Sequence, residues 1–261
     1  MRSIVLLLPL FFSSLGWGAN ALIVHDGIEP DALGNLTTHL TGKGFTVTAN
    51  VGVPAGSLAT YQQIWDIRFN NTTPLTAGDQ TAYLTYLAGG GSLFLMGENN
   101  TFFVTRNNSI VAFVQAAGGG ALSLIEAQNT QTVLAPFTGP TPLASINFAA
   151  AAGAVLGIGN AARITVDSGG ASSAIGFSPG RLSNAPAGAL ILVFDVNFMQ
   201  TGADANSPAF IDNLISYLAA PTTLLVPIPT LSEWGMILMT CCLVFVAARR
   251  LRANGLTARA W

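Results

Sequence analysis

The feature that most restricts the fold is a repeated alternation of short apolar runs with amphipathic helical segments. The apolar runs are typical of buried strands, and the intervening segments place their leucines on one helical face. Strands separated by helices of this length pair in parallel through right-handed crossovers, so the sequence predicts an open parallel sheet covered on both faces. The predicted strands are residues 22–25, 45–49, 64–69 and 92–96, and the helices between and after them are residues 30–43, a segment starting after Thr76, and residues 109–117.

Capping residues and glycines mark the ends of these elements. Thr76 is a good N-cap, Asp79 three residues later completes a capping-box pattern, and a triple glycine at 89–91 ends that helix. The alternation of strands and helices resumes near the end of the domain, with an apolar strand predicted at residues 188–195 and a closing helix at residues 207–218. The predicted fold class is α/β, a flavodoxin-like three-layer sandwich with a parallel sheet.

Residues 121–187 depart from this rhythm. Short β-prone runs there are separated by Gly, Ala, Ser, Thr and Pro, and we interpret the segment as an irregular β-rich insertion. It contains Gly157-Ile158-Gly159, which matches part of a dinucleotide-binding turn. A third glycine, a clear preceding strand and a following helix are missing from the pattern, so nucleotide binding is disfavoured.

The first 21 residues are typical of a secretory signal peptide. Arg2 supplies a positive start, residues 3–12 are apolar, and Ala19-Asn20-Ala21 is an A-x-A signature. We expect signal peptidase to cleave after Ala21, with cleavage after Gly18 as the alternative. An uncleaved anchor is disfavoured, because the apolar run of about ten residues is short for a membrane span of about 20.

Charge and cysteine content restrict the function of the remaining chain. Between residues 22 and 231 there are five basic and eleven acidic side chains, a net charge of about −6 that argues against nucleic acid as a partner. The only cysteines, Cys241 and Cys242, lie in a C-terminal apolar run. The exported domain therefore has neither a disulfide framework nor a thiol nucleophile, and we expect no cofactor.

The C-terminal segment combines a short motif, an apolar run and an arginine cluster. Only 8% of the chain is charged and its mean hydropathy is +0.53, values that such membrane-type segments explain. The apolar run is shorter than the about 20 residues of a perpendicular span, so the predicted transmembrane helix is extended to residues 234–248. The arginines stay in the cytoplasm by the positive-inside rule, which places the domain outside. The motif is Ile228, Pro229, Thr230, Leu231, Ser232, Glu233, Trp234 and Gly235, and the membrane stop is Arg249, Arg250 and Arg252.

This tripartite order resembles the IPTL-CTERM protein-sorting domain, over residues 228–254. The resemblance implies recognition by an exosortase-type membrane transpeptidase, cleavage near the motif and transfer to the cell surface. A generic tail anchor would explain the helix and the arginines but not the motif. We therefore expect a proline-rich spacer at 220–227, a cytoplasmic tail at 255–261, and a location in the cell envelope, first in the inner membrane with the domain in the periplasm and then at the surface.

Residues 22–219 resemble the class I glutamine-amidotransferase-like superfamily, which includes ThuA-like and noncatalytic members. The segments that carry the resemblance are LIVHDG, YQQIWDIRF, LTAGDQTAYLTYLAGGGSLFLMGEN and ALILVFDVNFM. The family's mechanism would require a cysteine at a strand-to-helix elbow, followed by a histidine and a glutamate. This chain has Glu98 near that position, and His25 and His39 both come earlier, so thiol-based amidotransfer is excluded by composition.

Candidate ligand residues follow from the sheet, because ligands of parallel α/β sheets bind beyond the carboxyl ends of the strands. We expect the polar residues at these strand ends, and those that open the next helix, to converge in one polar cleft with an unknown ligand. A metal site from Asp26, Glu98 and Asp195 is chemically feasible, but capping and pairing with arginines is the favoured role, and no metal is predicted. Serine hydrolysis is disfavoured because no G-x-S-x-G turn is present.

A noncatalytic binding or structural domain is the preferred hypothesis, and a carboxylate- or metal-dependent hydrolase is the alternative. The candidate residues are Asp26, Asp66, Arg68, Glu98, Asn99, Arg106, Asp195 and Asn197.

Overall fold

The computed structural model describes residues 19–149 and 152–219. The chain divides into two units, residues 1–222 and 223–261. Most of the predicted leader, the proline-rich spacer and the sorting segment with its predicted helix at 234–248 lie outside the described residues. Within the described ranges, no helix is both long enough and apolar enough to cross a membrane.

The described part of the chain alternates strands and helices, followed by a run of short strands and a final strand and helix. The helices are α1 (Pro30–Gly42), α2 (Ala77–Ala88), α3 (Val104–Ala116) and α4 (Ser207–Ala219), with a 3-10 turn at Asn197–Met199. The strands are β1 (Asn20–His25), β2 (Thr46–Val51), β3 (Gln63–Asp66), β4 (Ser92–Gly97), β5 (Leu122–Glu126), β6 (Thr130–Val133), β7 (Ser145–Asn147), β8 (Gly153–Ile158), β9 (Ala162–Arg163), β10 (Thr165–Val166), β11 (Ala174–Phe177) and β12 (Ala189–Phe194).

The central sheet has seven strands in the order β2-β1-β3-β4-β12-β11-β9. The first five pair in parallel, and their order matches the flavodoxin-like arrangement. The expectation of a purely parallel sheet is wrong at one edge, where β11 is antiparallel to β12 and β9 to β11. No helix separates β11 from β12, so the chain returns through the loop at residues 178–188 and pairs antiparallel.

Residues 121–187 are not separate from the main sheet. Two strands of this segment, β9 and β11, extend the sheet, while β5 and β8 form an antiparallel pair and β10, β6 and β7 a three-stranded sheet. The segment is rich in short strands, but it contributes to the core as well as covering it.

Two apolar layers hold the sheet between its helices. Side chains of β4 alternate between them, with Phe94 and Met96 facing the layer of α1 and α4, and Leu93 and Leu95 facing the layer of α2 and α3. All four are fully buried. Because the central strands are buried on both faces, apolar side chains are required at successive positions, and the strands appear in the sequence as unbroken apolar runs. Each such side chain stabilises the fold by roughly 1.5–3 kcal/mol when it is buried.

The first turn of α2 is capped by residues next to it in the sequence, whereas the first turn of α3 is capped by a distant residue. The Thr76 hydroxyl accepts a hydrogen bond from the Asp79 backbone N–H at 3.1 Å, and the Asp79 carboxylate accepts one from the Thr76 N–H at 3.1 Å, which confirms the predicted capping box. Helix α3 starts at Val104, earlier than predicted. The Asn71 side-chain oxygen accepts hydrogen bonds from the backbone N–H groups of Thr105 at 2.7 Å and Arg106 at 3.2 Å, so a distant loop caps its first turn.

Candidate functional site

The predicted site residues lie at one edge of the sheet, where the parallel strands end. Asp26 follows β1, Asp66 is the last residue of β3, Glu98 follows β4, and Asp195 follows β12. We call this edge the carboxyl edge. Three of these acidic residues form two arrangements: an ion-pair cluster around Asp66, and a carboxyl pair formed by Glu98 and Asp195.

The ion-pair cluster is built on the Asp66 carboxylate, which is fully buried. The Arg68 guanidinium donates to it through Nη2 at 2.6 Å, and the Arg106 guanidinium through Nη2 at 3.0 Å. The Tyr83 hydroxyl donates a further hydrogen bond at 3.0 Å. Arg106 is only 1% exposed, so this cluster is internal and does not line an open cleft as the sequence suggested.

Both arginines use their remaining donors inside the protein as well. Arg68 Nη1 lies 3.1 Å from the Asp79 carboxylate, which ties the end of β3 to the first turn of α2. Arg106 donates through Nε to the Met96 carbonyl at 3.2 Å and through Nη1 to the Thr73 carbonyl at 2.9 Å. The two guanidinium groups thus hold strand ends and helix starts together.

The electrostatics of this cluster favour the charged forms of Asp66 and Arg68 and the neutral form of Tyr83. Burial alone would raise the pKa of the Asp66 carboxyl, but Arg106 and Arg68 hold it below its usual range. Burial also opposes charge on Arg68, yet its hydrogen bond to Asp66 raises the pKa of the guanidinium. Burial and the Asp66 charge raise the pKa of Tyr83, which keeps its hydroxyl a donor. Asp66 and Arg68 therefore form a charged pair near neutral pH, and the Tyr83 hydroxyl donates to it.

The carboxyl pair has a different environment. Glu98 is 6% exposed and Asp195 is fully buried. Glu98 Oε2 accepts a hydrogen bond from the Val196 N–H at 2.7 Å, and Asp195 Oδ1 accepts one from the Asn197 N–H at 2.5 Å. Asp195 Oδ2 is buried and accepts no hydrogen bond from the described residues. Within that part of the chain, neither carboxyl forms an ion pair with a lysine or arginine.

This environment favours protonation. Burial raises the pKa of Glu98 to about 7, and the nearby carboxylates of Glu29 and Glu126 push it in the same direction. Burial raises the pKa of Asp195 to about 8, and the charge of Glu98 adds to the effect. The pair therefore retains a proton near neutral pH, and a buried protonated carboxyl can donate a hydrogen bond or a proton.

The backbone that presents Glu98 is tightly fixed. The Asn107 side chain, fully buried, accepts from the Glu98 N–H at 3.1 Å and donates to the Glu98 carbonyl at 2.6 Å. A Cβ on Gly153 would lie 2.3 Å from the same carbonyl oxygen, and one on Gly97 would lie 2.4 Å from the Phe194 ring. The turn that follows β4 therefore requires glycine at position 97 and, in the segment packed against it, at position 153.

The other predicted residues serve mainly to hold loops. Asp26 accepts hydrogen bonds from the Ile28 N–H at 3.2 Å and the Phe69 N–H at 2.9 Å. Asn99 donates to the Glu126 carboxylate at 2.8 Å. Asn197 starts the 3-10 turn that follows β12. The contacts of Asp26 agree with the favoured role of satisfying strand ends, whereas Glu98 and Asp195, for which pairing with arginines was also expected, form no such ion pair among the described residues.

Sequence reasoning missed two acidic residues that affect the carboxyl pair, Glu29 and Glu126. Glu29 immediately precedes the proline that starts α1, and Glu126 ends a β-prone run, so both occupied positions where an acidic residue reads as a helix start or a strand end. Their approach to Glu98 depends on long-range packing that no local pattern contains.

The sequence also raised a carboxylate metal site and two histidines as candidates for metal or base chemistry. In the described ranges, no group of three or more His, Cys, Asp or Glu side chains is arranged to hold a metal ion, so Asp26, Glu98 and Asp195 do not form the set considered above. His39 of α1 contacts Asp212 of α4, with 2.8 Å between Nδ1 and Oδ1. His25 ends β1, and its Nδ1 is buried with no hydrogen-bond partner among the described residues.

Comparison with known proteins identifies the C-terminal segment. The model of the IPTL-CTERM motif matches residues 226–253, which contain the whole predicted motif at 228–235. This match confirms the resemblance found in the sequence. No curated protein sequence matches the chain.

Solved structures resemble the domain in fold. The N-terminal domain of mmIFT52 has a TM-score of 0.56 at 11% identity, with 76% of this chain and 96% of that domain covered. A cold-adapted β-galactosidase from Rahnella sp. R3 has a TM-score of 0.50 at 11% identity, and the match covers 77% of this chain but only 31% of the β-galactosidase. A ThuA-like protein from Bacteroides uniformis has a TM-score of 0.47 at 17% identity, with 78% of this chain and 92% of that protein covered.

Proposed function

We propose that this chain is an exported cell-envelope protein whose C-terminal tail is a sorting signal. The IPTL-CTERM motif at residues 226–253 carries the proposal. An apolar run and a cluster of three arginines follow the motif, and the positive-inside rule assigns those arginines to the cytoplasm. The domain before the motif is then outside the inner membrane.

Two proteases process the chain in this account. Signal peptidase removes the leader during export, and the C-terminal segment then holds the domain at the inner membrane. An exosortase-type transpeptidase cuts near residues 228–235 and transfers the domain to the cell surface. The membrane segment is thus a temporary anchor.

The exported domain is proposed to bind or to serve as a structural module without catalysis. The ion-pair cluster supports this, since Asp66, Arg68 and Arg106 satisfy one another instead of facing a substrate. The composition supports it too, because the only cysteines, Cys241 and Cys242, lie in the C-terminal apolar run. The acidic excess of the domain fits a soluble surface module that avoids nucleic acid.

The sorting proposal is tested by changing the motif in the full chain in its native host. Pro229→Ala alters the motif, and Pro221→Ala changes a proline upstream of it as the matched control. We expect Pro229→Ala to leave the protein in the inner-membrane fraction with its C-terminal peptide attached, while Pro221→Ala reaches the surface like the unaltered chain. Equal surface delivery of both variants would contradict the role of the motif.

A second candidate function rests on the carboxyl pair. A buried acid that keeps its proton near neutral pH can act as a general acid, and a neighbouring carboxylate can act as base or nucleophile, which is the chemistry of carboxylate hydrolases. Asp195 Oδ2, buried and without a hydrogen bond from the described residues, is the atom that favours this reading.

Turnover decides between the two candidates. A panel of p-nitrophenyl glycosides is offered to the mature protein and to Glu98→Gln and Asp195→Asn, with Asp212→Asn, whose carboxylate pairs with His39 and Lys43, as a control. Hydrolysis that disappears in the first two variants and persists in the control, with circular dichroism unchanged, would establish the hydrolase. Absence of hydrolysis throughout the panel is the result that the binding or structural role predicts.

A further inference from the structure

We infer that the leader is removed between Gly18 and Ala19, so that the mature domain begins at Ala19. This rests on the proposed export of the chain. The sequence offers two cleavage signatures three residues apart, and local residue size favours the A-x-A at residues 19–21. The fold separates them, because β1 begins at Asn20 and the A-x-A residues belong to the sheet or its edge.

Strand β1 is an internal strand, with β2 on one side and β3 on the other. Asn20 is paired with Thr46, and Ala21 is paired with Val47 on one side and Gln63 on the other. Ala21 is fully buried and belongs to the apolar layer between the sheet and α1. Its methyl group and its backbone are thus part of the core.

Residues 19 and 20 also supply hydrogen bonds at this end of the sheet. The Thr46 N–H donates to the Ala19 carbonyl at 2.8 Å, and the Gln62 N–H donates to the Asn20 carbonyl at 2.9 Å. The Asn20 side chain donates to the Thr60 carbonyl at 3.3 Å. Removal of residues 19–21 would leave the Thr46 and Gln62 donors without these acceptors.

Cleavage after Ala21 would also place the new α-ammonium on Leu22. Leu22 is fully buried and lies between Thr48 of β2 and Ile64 of β3. An α-amino group with a pKa of about 7.7–8.0 is largely charged at neutral pH. Burying that charge inside a sheet without a counter-charge opposes folding.

Cleavage after Gly18 keeps these hydrogen-bond acceptors and avoids burying the α-ammonium. The ammonium then lies on Ala19, which is half-buried and precedes the first residue of β1. The carbonyls of Ala19 and Asn20 keep their donors. Gly16 and Gly18 supply the two small residues that the peptidase needs at the third and first positions before the bond.

The test is the N-terminal peptide of the exported full-length chain, identified by mass spectrometry after expression in a Gram-negative host. Two variants separate the bonds. Gly18→Gln removes the small residue before the inferred bond and leaves Ala19-Asn20-Ala21 intact, whereas Ala19→Gln alters the A-x-A signature and leaves Gly16 and Gly18 intact.

We expect the unaltered chain to begin at position 19, Gly18→Gln to lose that product, and Ala19→Gln to be cut between positions 18 and 19 as before. An exported chain that begins at Leu22, or at any other residue, or keeps its leader, overturns the inference and leaves the export proposal standing. Processing that fails in Ala19→Gln but continues in Gly18→Gln overturns it as well. A chain found in the cytosol with its leader attached overturns both proposals.

Discussion

At the scale of single residues, Asp66 joins three side chains from different elements at the carboxyl edge. It is the common acceptor for two buried guanidinium groups and a tyrosine hydroxyl. Removing one partner from a buried ion pair leaves an uncompensated charge, which costs far more than the intact pair contributes.

Asp66→Asn is therefore expected to lower the free energy of unfolding by about 3–5 kcal/mol, because Arg68 and Arg106 lose their shared carboxylate. Asp212→Asn is the matched control: its partners His39 and Lys43 are partly exposed, and such pairs are worth about 0–1 kcal/mol. Urea unfolding of the mature protein measures both. Similar small losses in the two variants would show that the cluster is not needed for stability.

The carboxyl pair predicts how stability depends on pH. The pKa values of Glu98 and Asp195 are raised to about 7 and about 8 in the folded protein, above the roughly 4 of the unfolded chain. The folded state thus binds protons that the unfolded state releases. Their stabilising effect is complete below about pH 4 and is lost as the pH rises to about 8.

We expect the melting temperature to fall between pH 5 and pH 8, and Glu98→Gln to reduce that fall by removing one titrating acid. Asp31→Asn, at an exposed position in the first turn of α1, is expected to leave the slope unchanged. Asp66, Asp167 and Asp212 have lowered pKa values and contribute only at more acidic pH. Stability that rises from pH 5 to pH 8 would refute the assignment.

The location of the site residues could be predicted from the sequence, but their pairing could not. The positions at strand ends were predictable from the rhythm of the chain, so Asp26, Asp66, Glu98 and Asp195 were placed at the correct edge. Their division into an ion-pair cluster and a carboxyl pair was not predictable, because it depends on which carboxylate the Arg106 side chain of α3 reaches.

At the scale of elements, local signals decided the boundaries wherever the stabilising contacts were local. The capping box of α2 is one such case, and β4 and β12 are predicted within a residue or two because both faces of each are buried. The start of α3 was missed because its cap comes from Asn71, more than 30 residues earlier in the chain. The antiparallel strands β9 and β11 are too short to show a period.

The capping box gives a prediction at this scale. Thr76→Ala removes the hydroxyl that accepts from the Asp79 N–H and should lower the free energy of unfolding by about 1 kcal/mol. Thr81→Ala, also in α2, removes a hydroxyl that donates to the Ala77 carbonyl within the helix and is exposed, so its effect should stay within about 0.5 kcal/mol. Thermal unfolding compares the two, and an equal loss would assign no special role to the cap.

At the scale of the whole molecule, the domain and the tail were recognised by different kinds of signal. The domain's fold followed from hydrophobic periodicity, which any chain that buries a sheet between helices must show. The tail was recognised from a specific motif, and its match at residues 226–253 bears on destination and not on fold. The activity of the domain follows from neither signal, because folds of this class serve many functions.

The intact mass of the protein recovered from the surface of its native host tests the central claim most directly. We expect a chain that lacks the leader and everything after the sorting motif, including the arginine cluster and Trp261. Surface material that still ends at Trp261, or a full-length chain found only in the cytosol, would contradict it.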